Sequence, residues 1–261
     1  MSQPPNVDHE NELKSQGYEL IAGIDEVGRG ALAGPVVASA VILPHPANLP
    51  WFGLVRDSKE LDSRKRETFF DLINKEAVAV GIGIVPPQVI DSVNILRATR
   101  LAMMQAVQKL SKQPTFLLID RVTLSQCPIP QKGITGGDKL CLSIACASII
   151  AKVTRDNIME KFDQTYPGYG FAQHKGYGTK GHISCLQKLG PSPIHRLYFA
   201  PVRNMITRQA SAPLASGHSR PFPSFHSEPF APCHSEGAER PKNLIQRKLS
   251  DGSGNGPPGS R

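Results

Sequence analysis

Aromatic residues make up only 6% of the 261-residue sequence, tryptophan occurs once, and the five cysteines are scattered. None of Cys127, Cys141, Cys146, Cys185 and Cys233 forms a CxxC pair or a Cys/His cluster with zinc-ligand spacing. Thiols in a reducing cytoplasm are the simplest reading. No run of about 18 apolar residues is present to span a bilayer. The opening MSQPPNVDHENELKSQ has no apolar stretch to act as a signal peptide. A Walker P-loop and a GxSxG nucleophile elbow are both missing, which removes the commonest nucleotide-hydrolysing and serine-hydrolase readings.

Apolar residues are also sparse, at 39%, against roughly 45–50%, counted with glycine, in a compact domain. The deficit sits at the C-terminal end. Of the 57 residues in 205–261, 23 are Pro, Gly or Ser, and HSRPFPSF, HSEPFAPC and HSEGAERP begin eight residues apart at His218, His226 and His234. A repeat this short buries nothing, so 205–261 reads as a disordered tail, and 1–17 as a flexible N-terminus. Acidic residues are the minority charge, 22 against 30 Lys and Arg, for a net +8. That balance favours a polyanionic partner.

What remains, 18–204, has the pattern of one α/β domain. YELIAGIDEVGRG and GPVVASAVIL are β-branched runs separated by glycines, as in adjacent strands joined tightly, and 77–85 and 115–120 add two more. Apolar spacing predicts helices over 63–75, 94–110, 140–162 and 179–189. Consecutive strands followed by strand and helix alternation imply a mixed sheet with helices on its faces, and a small helical C-terminal extension.

Carboxylates stand at the strand ends. Asp25 and Glu26 close the first strand and run into Gly28-Arg29-Gly30, where glycines let backbone amides approach a phosphate or sugar hydroxyl and Arg29 adds positive charge. Alone, such a stretch reads more readily as a polar strand end followed by a turn. Asp120 ends TFLLID at the edge where open α/β sheets place their sites, although a lone Asp there is often a cap or turn residue. Asp138 precedes the long helix, and capping it is an alternative role. Together the four suggest hard oxygen ligands for Mg²⁺ or Mn²⁺. YPGYGFAQHKGYGTKGH, residues 166–182, mixes aromatics with His and Lys, as a nucleic-acid contact or a glycine-rich surface loop would.

These stretches, with DSKELDSRKRE, GGDKLCLSIACASIIAKVTRDNIM and GPSPIHRLYFAPV, resemble the ribonuclease HII family from about Ile21 to Val202. The resemblance implies a ribonuclease H-like fold and Mn²⁺- or Mg²⁺-dependent cleavage of RNA in RNA/DNA hybrids. It also implies nicking 5′ to single ribonucleotides in duplex DNA, leaving 3′-hydroxyl and 5′-phosphate ends. By matching position, Asp25, Glu26, Asp120 and Asp138 would be the catalytic, metal-holding carboxylates. Gly28, Arg29 and Gly30 would read the 2′-hydroxyl, and Tyr177 would pack on the adjoining sugar. Lys59, Lys175 and Arg196 are further candidates for phosphate contacts. A cytoplasmic monomer with no membrane partner is expected.

Three departures from the family pattern stand out. Gly136 replaces a lysine, Arg121 replaces a glycine, and Leu197-Tyr198 replaces Arg-Ser. A module that binds hybrids without cutting them has no reason to gather acids beside a polyanion. The sister type, ribonuclease HIII, is disfavoured by Asp138, where that type usually has glutamate, and by the roughly twenty residues before the first strand.

Overall fold

The computed structural model describes residues 4–45 and 49–211. In chain order the elements are α1 (Asp8–Ser15), β1 (Ile21–Val27), β2 (Val36–Ile42), α2 (Ser63–Glu76), β3 (Ala79–Val85), α3 (Pro87–Val93), α4 (Ile95–Gln108), β4 (Phe116–Asp120), β5 (Gln131–Ile134), α5 (Gly137–Leu140), α6 (Leu142–Thr165), α7 (Phe171–His174), α8 (Lys180–Leu189) and α9 (Ala200–Ser211). The five strands form one mixed sheet in the order β3-β2-β1-β4-β5. β1, β2 and β3 pair antiparallel, while β4 joins β1 and β5 joins β4 in parallel.

Both faces of the sheet are covered. β2 is buried throughout, which is why VVASAVI reads as a continuous apolar run with no alternation. Its Val36, Ala38, Ala40 and Ile42 meet Ala98, Ala102 and Ala106 of α4 on one face. Val41 packs on the other, with Ala145, Cys146 and Ile149 of α6 and Phe69 and Ile73 of α2. The first half of α6, Leu142 to Ala151, is buried on all sides. Small residues let it lie against the strands: a Cβ on Gly23 of β1 would stand 2.2 Å from the Ser143 carbonyl carbon. Along the outer edge of β3, Gln105 of α4 accepts the Ile84 amide, 3.1 Å away.

Four features depart from the sequence reading. The segment expected to be a flexible N-terminus carries α1, whose Glu10 and Leu13 are buried. Glu10 accepts the Ser143 amide at 2.9 Å, filling one of the donor positions that the first turn of a helix leaves open. β5 escaped notice because QKGI is a short, largely exposed edge strand with no apolar alternation. The boundary placed after 204 cuts α9, whose Met205 and Ile206 pack on Leu32, Leu186 and Val202. Asp138 lies in the short α5 and so does not cap α6. The repeat-bearing segment and Cys233 lie outside the described residues.

Gly23→Ala tests the β1–α6 approach. The added methyl meets backbone and has nowhere to go, so urea denaturation is expected to show a loss of about 3 kcal/mol. An unchanged midpoint contradicts the packing described.

Candidate active site

β1 and β4 are parallel neighbours, with Ile24 opposite Ile119. The next residues, Asp25 and Asp120, therefore emerge side by side at the C-terminal edge of the sheet. Asp120 Oδ1 accepts the Gly137 amide at 2.9 Å, which draws the start of α5, and with it Asp138, to the same edge. Asp25 and Asp138 are each 6% exposed. Asp25 accepts the Glu26 amide at 2.7 Å and is hydrogen-bonded by Ser148 of α6. Glu26 holds Arg29 Nη1 at 3.0 Å through one oxygen, and its other oxygen is buried with no partner. The structure thus gathers all four predicted carboxylates at one edge.

Their proximity has an electrostatic cost. Burial, then the charges of Glu26 and Asp120, hold the Asp25 carboxyl well above its ordinary range. Burial raises Glu26 too, with Arg29 opposing. Burial likewise raises Asp120, the Gly137 amide opposing and the charge of Asp138 adding. Among the described residues, no three acidic, thiol or imidazole side chains are already drawn together as a ligand cage. The donor set nevertheless fits hard divalent cations. It consists of carboxylate oxygens, one of them unpartnered, and positive charge between them would offset the burial and mutual repulsion that raise Asp25, Glu26 and Asp120.

Sequence reasoning missed a fifth carboxylate. Asp57, 5% exposed, lies 3.9 Å from both Lys59 Nζ and Lys139 Nζ. Lys59 also reaches Asp138 Oδ2 at 3.3 Å, so it stands at the acidic edge as a largely exposed cation. Between them Ser58 Oγ meets Ser148 Oγ at 2.9 Å, tying this loop to the residue that supports Asp25. The stretch DSK was the available signal.

The Gly28-Arg29-Gly30 loop is clasped by two fully buried arginines. Gly28 has φ +90°, and a Cβ there would stand 2.2 Å from Arg155 Nε. Arg155, on α6, donates to the carbonyls of Pro35, Ala33 and Lys175 and lies under the Tyr177 ring, 5.3 Å from its centroid. Arg196 donates to Gly34 O and Arg29 O. It is therefore no phosphate contact: at 0% exposure it is committed to backbone carbonyls. Lys175 is likewise engaged elsewhere, paired with Glu160 at 2.6 Å. The aromatic segment resolves in both directions, since Tyr169 and Phe171 are core while Tyr177 is 36% exposed beside the glycine loop. That adjacency is direct, because Gly176 O accepts the Leu32 amide at 2.8 Å.

Both departures near the carboxylates sit in left-handed backbone, Arg121 at φ 61° and Gly136 at φ 72°. The cost of that conformation is thus borne by Arg121 here and avoided at 136. Leu197 and Tyr198 give their amides to the two oxygens of Asp91 on α3, a contact indifferent to their side chains.

An acidic edge at the C-terminal ends of parallel β1 and β4, in a sheet of order 3-2-1-4-5, defines a protein of the ribonuclease H-like fold. The sequence model of ribonuclease HII matches residues 22–202. Ribonuclease HII of Dehalococcoides mccartyi is 55% identical over 202 residues, spanning 77% of this chain and 95% of that protein. Among solved structures, the ribonuclease H2 of Pyrococcus horikoshii OT3 matches with TM-score 0.62 at 24% identity, over 74% of this chain and 100% of that one. Bst-RNase HIII, solved in complex with Mn²⁺, matches with TM-score 0.54 at 18% identity, over 72% of this chain and 70% of that one. The chain belongs to the ribonuclease HII family and is an endoribonuclease of the ribonuclease H type, acting on RNA/DNA hybrids with divalent-metal dependence.

Two substitutions probe this arrangement. Arg121→Gly removes left-handed strain at the cost of a 3.6 Å pair in which only the arginine is exposed, so thermal denaturation is expected to show a net gain below about 1 kcal/mol. Gly28→Ala forces Arg155 aside and is expected to cost about 1–3 kcal/mol, with loss of cleavage.

Proposed function

We propose that this endonuclease, besides cutting RNA/DNA hybrids, nicks duplex DNA 5′ to a single embedded ribonucleotide and serves ribonucleotide removal from DNA. The observation that carries this reading is the juxtaposition of the acidic edge with a loop, Gly28 to Gly30, that Arg155 packs beneath and Arg196 holds through the Arg29 carbonyl. A 2′-hydroxyl is the one group that separates a ribonucleotide from its deoxy neighbours, and a fixed donor and acceptor loop can read it without recognising the base. Tyr177, partly exposed and backed by Arg155, offers an aromatic surface to the adjoining sugar. Lys59, largely exposed although its ammonium lies 3.3 Å from Asp138, stands where a phosphate would approach the acidic edge.

Asp25, Glu26, Asp120 and Asp138 are the residues that would hold two divalent cations, Mg²⁺ or Mn²⁺. When bound, such a pair supplies water activation and stabilisation of the leaving 3′-oxygen, giving 3′-hydroxyl and 5′-phosphate products. The protein's own part is positional. Ser148 and the Glu26 amide fix Asp25, the Gly137 amide fixes Asp120, and Arg29 holds Glu26 by one oxygen while leaving the other open. Lys59 and Lys139 offset the acidic charge that would otherwise repel the phosphate backbone.

The reading extends to a cytoplasmic monomer in which the residues beyond α9 are dispensable. Among the described residues no helix is long and apolar enough to cross a membrane.

The decisive assay incubates the full chain with labelled duplex DNA carrying one ribonucleotide and, separately, with an RNA/DNA hybrid, each with Mg²⁺, with Mn²⁺ and with chelator, beside an all-DNA duplex. A metal-dependent nick 5′ to the ribonucleotide, absent from the control, is expected. Asp25→Asn is expected to reduce cleavage to background while retaining binding in a gel-shift assay. Cleavage of hybrids alone would confine the enzyme to continuous RNA, and full turnover by Asp25→Asn would remove Asp25 from the metal-holding set.

A further inference from the structure

Three histidines lie behind the tyrosine loop, on separate pieces of chain: His174 at the end of α7, His182 in α8, and His195 in the segment before α9. The rings of His174 and His182 stack at 4.2 Å, and Phe171 presents to each of them edge-on. His182 and His195 are 0% and 2% exposed. None of the three belongs to the acidic edge, and no metal cluster is formed among the described residues.

One assignment of protons satisfies their hydrogen bonds. The Ser192 amide and the Ser192 hydroxyl each lie 2.8 Å from His195 Nδ1; the amide N–H can only donate, so that nitrogen is assigned as the acceptor, with the hydroxyl able to donate beside it. A neutral His195 then carries its proton on Nε2, which faces His182 Nε2 at 3.0 Å. That nitrogen must accept, which places the His182 proton on Nδ1, 2.9 Å from the Tyr177 carbonyl. A carbonyl can only accept, so the chain closes with each donor matched to an acceptor. His174 follows the same rule, accepting the Gly176 amide at Nδ1 and donating from Nε2 to Tyr169 O at 2.8 Å. Burial keeps the relay neutral: it lowers His182 and, with the neighbouring imidazoles adding, brings His195 down to about 4.

We propose that His195 and His182 are positioning residues, a relay of fixed tautomers that runs from the Ser192 amide to the Tyr177 carbonyl and holds the tyrosine at the substrate edge. The proposal rests on Tyr177 packing against the substrate sugar. Arg155 supports the ring from beneath, and His182 fixes the backbone that carries it. A second protonated nitrogen on either imidazole would set two donors facing one another and break the link.

Two measurements test it on the full chain. The first is histidine ¹⁵N NMR at pH 7.5, which assigns tautomers directly. Protonation at Nε2 in His195 and at Nδ1 in His182 is expected, and the opposite pair overturns the relay whatever the kinetics show. The second is steady-state cleavage of the single-ribonucleotide duplex. His182→Leu removes the donor to Tyr177 and is expected to raise KM about tenfold, the worth of one buried hydrogen bond. His182→Asn, whose side-chain amide can replace Nδ1–H, is expected to restore most of that loss. In a Tyr177→Ala background His182→Leu should add nothing further. Additive losses there reduce the histidines to a general structural role and overturn the proposal. Unchanged KM in Tyr177→Ala itself overturns the sugar-packing reading and the positioning role together, and is told apart from failure of the relay because the tautomers then stand as expected.

Discussion

Most of the site depends on one buried cation. Arg155 projects from α6 into the space beneath the glycine loop and the tyrosine loop, with no exposure and no carboxylate among its hydrogen-bond acceptors. Carbonyl oxygens from both loops solvate it instead, an arrangement that works only where the backbone curls around the guanidinium. Burial draws its pKa down from the ordinary arginine value. Arg196 closes the loop from the other side and is brought to about 9 by burial and by the charge of Arg155, which leaves it cationic at neutral pH. Two like charges are thus kept out of water to make an ordered turn beside the acidic edge. On the reading proposed above, ordering that turn in advance means binding need not supply the order.

The acidic edge shows the reverse economy. Five carboxylates converge there, and the cations around them, Arg29, Lys59 and Arg121 from nearby loops and Lys139 from α5, sit at the rim. Buried arginines therefore set shape, whereas exposed lysines and arginines moderate charge. The separation explains why basic residues that look alike in the sequence differ so much in place.

How much was legible follows from the range of each signal. The strands β1, β2, β3 and β4 and the helices α2, α4, α6 and α8 carry their pattern within a few residues, and their ends were read to within a few positions. Asp25, Glu26 and Asp120 were visible because each ends an apolar strand. Asp57 was not, since it lies in a loop and joins the edge only through Lys59 and Lys139. Arg155 drew no attention because it sits in a helix whose pattern is set by small apolar residues. Arg196, beside His195, looked like a surface cation, since burial of a charge by carbonyls from distant loops leaves no local trace. α1 was missed because its sequence is mostly polar and is held by only two buried residues, Glu10 at the start of α6 and Leu13 in the core.

The contact between Gln105 and the Ile84 amide bears on a hazard unrelated to catalysis. β3 is an outer strand, and AVGIGIV has neither a charge nor a proline to discourage pairing with another chain. Gln105 occupies one of its outward amides from within, so α4, which packs the core, also blunts the open edge. Because β3 precedes α4 in the chain, that protection arrives only after the helix has been made and docked. The interval between the two is when a nascent molecule is most exposed to sticking to its neighbours, and mutations that loosen α4 are expected to lower the soluble yield more than the activity of the molecules that fold.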